Sequence, residues 1–187
     1  MGQLDWFVER SRIVLEDKWI RVRADDCVMP SGIKVAPYYV LEYGDWANVV
    51  ALTPKREVVL VRQYRHGCGV SCLELPSGCI DEGEAPLDAA ARELKEETGY
   101  AAGEIFKTLE IAPNPANQSN MNHCFLALNA EKLGVQKLDE TEEIEVELHP
   151  LDSLFDLVRK GEILQSLHVS SILMALRVLE ERGVYER

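Results

Sequence analysis

Short β-rich runs, one strongly marked central helix and a helical C-terminal end predict a mixed α/β (α+β) architecture, with mixed β-sheets sandwiched between helices. Residues 7–43 and 46–64 carry apolar segments rich in Val, Tyr and Trp, divided by turn-forming residues. Pro86 and Gly99 bracket a single helical stretch, because proline suits the first turn and glycine the left-handed position past the last. Gly161 and Gly183 punctuate two further helices. The chain has 187 residues, 47% hydrophobic and 28% charged. That is one core of roughly 150 residues plus a small accessory layer, with no need of disulfide staples.

Within residues 7–43, Trp19-Ile20-Arg21-Val22-Arg23 alternates apolar and polar, and Pro30-Ser31-Gly32 supplies a turn before the Val/Tyr-rich run Ile33–Tyr43. These residues read as short strands, and a second, larger block of strands and helices begins at Trp46. The larger block opens with Asn48–Leu52, turns at Thr53-Pro54-Lys55, and continues as Glu57–Tyr64. A helix is expected from Pro86 to about Thr98, with Leu87, Ala90, Ala91 and Leu94 as its inward face. Strand candidates follow at 107–111, 121–128 and 143–148, and helices at about 151–160 and 166–182.

Twenty Lys+Arg against 32 Asp+Glu leave a net charge of −12. So acidic a chain repels nucleic-acid backbones, and no basic patch offsets this, so no nucleic-acid partner is expected. No apolar run reaches the ~20 residues that span a bilayer, and the opening residues show no signal-peptide core, so no membrane association is expected. The odd set Cys27, Cys68, Cys72, Cys79 and Cys124, without a C-x-x-C pair, reads as reduced thiols of a cytoplasmic protein. His66, Cys68 and Cys72 fit no common zinc spacing.

The informative stretch runs from Gly78 to Tyr100. At 100° per residue, Glu93, Glu96 and Glu97 share an arc of about 100°. Like charges at these spacings cost a helix a few tenths of a kcal/mol per pair, so a cation is the natural partner. Hard divalent ions such as Mg2+ take oxygen ligands and often share them with phosphates. Gly78 lets the backbone approach a ligand closely, and Arg92 can pair with a loop carboxylate such as Glu84.

Gly78, Glu84, Arg92, Glu93, Leu94, Glu96, Glu97 and Gly99 resemble the Nudix box, G-x5-E-x7-R-E-U-x-E-E-x-G-U, at every spacing. Tyr100 stands where an aliphatic residue is usual. The resemblance implies the Nudix fold and Mg2+- or Mn2+-dependent hydrolysis of a nucleoside diphosphate linked to another group. By position, Glu93, Glu96 and Glu97 would hold metal, with Ser77 offering its backbone carbonyl, and Glu97 and Arg92 would belong to the catalytic machinery.

Nearly the whole chain is similar to the ADP-ribose and nucleotide-sugar pyrophosphatases of that family. By this likeness Arg65, in Val61–His66, would clamp a substrate phosphate, and Pro115 would lie in a substrate-binding loop. That loop continues as Ala116-Asn117-Gln118, without the glutamate many members carry. The segment Leu138–Ile144 resembles the acidic loop that brings the catalytic base, with Glu140 aligning best and Glu142 next. Residues 1–45 resemble the subfamily's small antiparallel N-terminal sheet, which dimerises, and this implies a Nudix hydrolase domain over 46–187, a homodimer and an aromatic stacked on the base. Tyr43 and Trp46 are candidates for that aromatic, Trp19 less so. The expected substrate is ADP-ribose or a related nucleoside diphosphate sugar, cleaved to a nucleoside monophosphate and a sugar phosphate. Alternatives are another Nudix substrate class (dinucleoside polyphosphate, coenzyme A or RNA 5′ end) and an inactive nucleotide-binding module.

Overall fold

The computed structural model describes residues 3–185. Contacts divide the chain into two compact units, Met1–Gly44 with Ala112–Met121, and Asp45–Ile111 with Asn122–Arg187.

In the first unit, β1 (Phe7–Glu16), β2 (Arg21–Val28) and β3 (Lys34–Leu41) form an antiparallel sheet with β2 at its centre. The excursion 112–121 is bound to its third strand. Leu41 N–H donates to Asn117 C=O (2.7 Å), Ser119 N–H donates to Leu41 C=O (3.3 Å), and the Tyr38 hydroxyl donates to Ala116 C=O. Edge strand β1 exposes Phe7, Val8, Val14 and Leu15.

The second unit contains β4 (Trp46–Leu52), β5 (Glu57–Arg65), β6 (Val70–Glu74), β7 (Ser77–Cys79), α1 (Pro86–Thr98), β8 (Tyr100–Ala101) and β9 (Glu104–Ile111). It continues with β10 (Asn122–Leu128), β11 (Glu131–Lys132), β12 (Ile144–Pro150), α2 (Leu154–Lys160) and α3 (Ser166–Glu181). The main sheet runs β12-β5-β4-β10-β9, with β6 beside β5 and β7 beside β4. Strands β4 and β10 are parallel, while the other ladders of this sheet are antiparallel.

Period-two alternation sends the two sides of these strands into two cores. Val50, Leu52, Val58, Leu60, Leu126, Ile172 and Leu179 fill the layer toward α2 and α3. Ala47, Val49, Ala51, Phe125 and Ala127 meet Ala89, Ala90 and Leu94 of α1. Small side chains on both sides of this second layer let α1 lie close to the sheet.

The inward face of α1 differs from the sequence expectation. Ala89, Ala90, Leu94, Glu97 and Thr98 are buried, whereas Leu87 is exposed. Ala90, Leu94 and Glu97 follow i, i+4, i+7 spacing, so Glu97 continues the apolar stripe instead of opposing it. Leu87 of the first turn stays in solvent, while the last turn sets the Glu97 carboxylate against the Ser77 N–H of β7.

Candidate active site

Helix α1 begins with Pro86 at its first turn and ends at Gly99, whose φ of 75° is the left-handed conformation and whose N–H donates to Lys95 C=O (2.9 Å). A Cβ on Gly99 would also collide with the Gly134 carbonyl. This close approach brings residues 133–137 over the last turn. Leu133 and Gly134 N–H groups donate to Gly99 C=O (2.9 and 3.1 Å), and Lys137 N–H donates to Glu96 C=O (2.8 Å).

The carboxylates of α1 have unequal surroundings. Glu97 is 5% exposed and accepts from Ser77 N–H at 3.0 Å. Burial pushes its carboxyl up to about 8; the nearby charges of Glu93 and Glu142 act the same way, against the Ser77 N–H and Arg65. Burial also raises the Glu93 carboxyl, with Arg92 opposing. The Arg92 guanidinium grips Glu84 through Nε (2.9 Å) and Nη2 (3.0 Å), and reaches Glu93 (2.7 Å), Glu96 (3.2 Å) and Cys79 C=O (3.0 Å). The Glu84 carboxyl is held below its usual range by that grip. The Arg92–Glu84 pairing suggested by the spacing is therefore present and staples the loop before α1 to the helix.

Gly78 makes room for a side chain of this same site. A Cβ there would overlap the Glu93 carboxylate.

Glu93, Glu96 and Glu97 line a polar cavity of about 110 Å³ together with Arg92, Lys137, Asp139 and Glu142. Five carboxylates face two cations, and all offer hard oxygen donors of the kind Mg2+ or Mn2+ accepts. The residues fit a divalent cation in charge and donor type. Among the described residues, no three acidic, imidazole or thiol groups already stand together as a metal cluster. Glu93 is turned to Arg92 and Glu97 to the Ser77 N–H. The spacing brings these residues to one cavity; their oxygens converge only by side-chain rotation.

The two loop glutamates separate here. Glu142 lines the cavity and accepts from Asp139 N–H (3.1 Å), closing a turn in which Glu142 N–H donates to Asp139 C=O (3.0 Å). Glu140 is exposed and is not among the lining residues.

Arg65 makes a two-point contact with Glu74, through Nε (2.8 Å) and Nη2. Burial works against ionisation of Glu74, yet the Arg65 hydrogen bonds hold its carboxyl below the usual range. A guanidinium has five N–H donors, so Nη1 stays available after this pairing. Trp46 opens β4, opposite Cys79 of β7 and Asn122 of β10. Tyr43 and Pro115 belong to the first unit, Tyr43 just beyond β3 and Pro115 in the excursion bound to that strand.

Sequence reasoning overlooked Lys137 and Gln136, which belong to no motif and reach the site only because the chain folds back on α1, and it gave Asp139 of the acidic segment no role. It also left His168 undistinguished. This wholly buried side chain of α3 accepts from Leu75 N–H through Nδ1 (3.3 Å), two residues before Ser77.

Residues 43–167 match the NUDIX domain. The chain belongs to the Nudix family. Residues 6–41 also match the nucleoside diphosphate sugar hydrolase N-terminal domain. A Nudix relative named nudix hydrolase 2 in Caenorhabditis elegans is 36% identical over 140 residues, covering 70% of this chain and 62% of its own length. The ADP-ribose pyrophosphatase of Bacillus subtilis is 30% identical over 154 residues, 80% of this chain and 81% of the relative. The crystal structure of an ADP compounds hydrolase superposes with a TM-score of 0.87 at 22% identity, covering 99% of this chain and 100% of that one, and shares the Nudix fold described above. None of the described helices is long and apolar enough to cross a membrane.

Proposed function

We propose that this Nudix hydrolase is a divalent-metal-dependent pyrophosphohydrolase of ADP-ribose or a related nucleoside diphosphate sugar, releasing a nucleoside monophosphate and a sugar phosphate. The observation that carries the reading is the cavity where α1 presents Glu93, Glu96 and Glu97 to the acidic loop. The Bacillus subtilis relative and the N-terminal domain match support the substrate class.

In this reading Glu93, Glu96 and Glu97, with the Ser77 carbonyl, hold Mg2+ or Mn2+. When bound, such ions neutralise the diphosphate, polarise a P–O bond and make water more acidic. Glu142 takes the proton of the attacking water; its position on the cavity wall supports this role over Glu140. Arg92 keeps the carboxylates oriented, and the remaining donors of Arg65 suit a phosphate oxygen. Tyr43 and Trp46 are the candidates for stacking on the base. The exposed apolar side chains of β1 support a homodimer, and the free thiols Cys27, Cys68, Cys72, Cys79 and Cys124 support a cytoplasmic setting.

The test is hydrolysis of ADP-ribose, GDP-mannose and UDP-glucose with Mg2+ or Mn2+, products being resolved by chromatography. Metal-dependent release of a nucleoside monophosphate from at least one substrate is expected. No turnover of any of the three would overturn the reading, and calorimetric binding without turnover would make the protein a nucleotide-binding module.

A further inference from the structure

Gln136 stands at the root of the acidic loop, where its carboxamide binds two separate elements. Nε2 donates to the carbonyl of Glu97 in α1 (2.8 Å) and to the carbonyl of Ile144, the first residue of β12 (2.9 Å). A carboxamide nitrogen has two N–H donors, and both are engaged. These bonds join the two ends of the segment that carries Asp139, Glu140 and Glu142, and tie them to the helix carrying Glu93, Glu96 and Glu97.

The attachment meets a need of the helix. The last carbonyls of an α-helix lack intrahelical partners. In α1, Lys95 C=O is taken by Gly99, Glu96 C=O by the Lys137 N–H and Glu97 C=O by Gln136. The groups that finish the helix are therefore the same ones that anchor the loop. Glutamate at 136 would set acceptor oxygens against two carbonyls, and an apolar side chain would leave both carbonyls without this donor.

We infer that Gln136 is a positioning residue that fixes Glu142 relative to the carboxylates of α1. The inference rests on the proposed role of Glu142 as proton acceptor. A misplacement near 1 Å is enough to cost on the order of 100-fold in rate, so a two-point tether at the root of a loop can set kcat.

The test is a double-mutant cycle on ADP-ribose hydrolysis with Mg2+, comparing the wild type, Gln136→Met, Glu142→Gln and the pair. Gln136→Met is expected to lower kcat about 10-fold or more, with KM and the Mg2+ concentration for half-maximal rate kept within about twofold. In the Glu142→Gln background the same substitution should cost less than about twofold, because the group it positions is gone. An unchanged kcat in Gln136→Met, or the full loss persisting in the Glu142→Gln background, overturns the inference while leaving the base assignment standing. A Glu142→Gln protein as fast as wild type removes the base assignment, and this inference with it. Should Gln136→Met not fold, Gln136→Asn serves in its place. Its shorter amide keeps the donors but cannot span both carbonyls, and a smaller fall in kcat with the same non-additivity is expected.

Discussion

Glu97 shows how one residue can be costly to the fold and useful to the reaction. It lies on the buried stripe of α1, and burial pushes its carboxyl up to about 8. Glu97→Gln keeps the volume and an acceptor for the Ser77 N–H but cannot ionise to the carboxylate a metal ion would take. Its turnover is expected to fall at least ~100-fold, with the fold preserved by circular dichroism. A near-normal rate would mean that the metal sits elsewhere. Gly78 is a second residue whose role is spatial. Alanine there must displace the Glu93 carboxylate, so Gly78→Ala should lose about 10-fold or more in rate and need more Mg2+ for half-maximal rate, with little change in melting temperature. Metal titration of the rate checks this.

Helix α1 works as a unit because its middle and its last turn are both fixed by contacts outside it. Glu84 and Cys79 hold Arg92 on one side, and residues 133–137 complete the last turn on the other. Gly99 is the joint of that second attachment, since its positive φ and its contact with the Gly134 carbonyl both exclude a side chain. Gly99→Ala is expected to cost about 1–2 kcal/mol in chemical denaturation from the left-handed conformation alone. The collision with Gly134 should add to this and lower kcat by moving the acidic loop.

For the molecule as a whole, two buried groups pull the pH dependence of the metal-free protein in opposite senses. His168 is wholly buried, and burial lowers its pKa from 6.5 to about 4. As pH falls below about 6.5 the unfolded chain takes up a proton that folded His168 refuses, so stability is lost toward pH 4. Glu97 acts in the opposite sense. Its folded pKa lies above the unfolded value of 4.5, so the folded state alone carries the proton between 4.5 and about 8, and stability falls as pH rises through that window. The two slopes oppose one another between 4.5 and 6.5, and between about pH 6.5 and 8 the Glu97 loss is no longer offset by His168. Thermal melts in chelator should show melting temperature declining over that interval, a decline absent in Glu97→Gln. A second expectation at this scale concerns assembly. Phe7→Glu with Leu15→Glu adds charge to the exposed apolar strand β1 and should convert the proposed dimer to a monomer by light scattering.

The α1 boundaries, the Arg92–Glu84 pairing and the shared carboxylate arc were legible in the sequence, because each follows from local spacing, a helix-starting proline and a left-handed glycine. Glu140 and Glu142 are two residues apart in an irregular acidic loop, and no periodicity distinguishes them. That separation is a tertiary outcome: residues 133–137 lie along the end of α1, Gln136 ties the loop down, and the turn at Asp139 leaves Glu142 on the cavity wall and Glu140 outside. The burial of Glu97 was likewise decided by packing, since the small alanines of β4 and β10 bring the helix close to the sheet. Chemistry written within one helical turn can be read from residue order, whereas groups joined across forty residues acquire their roles only when the backbone brings them together.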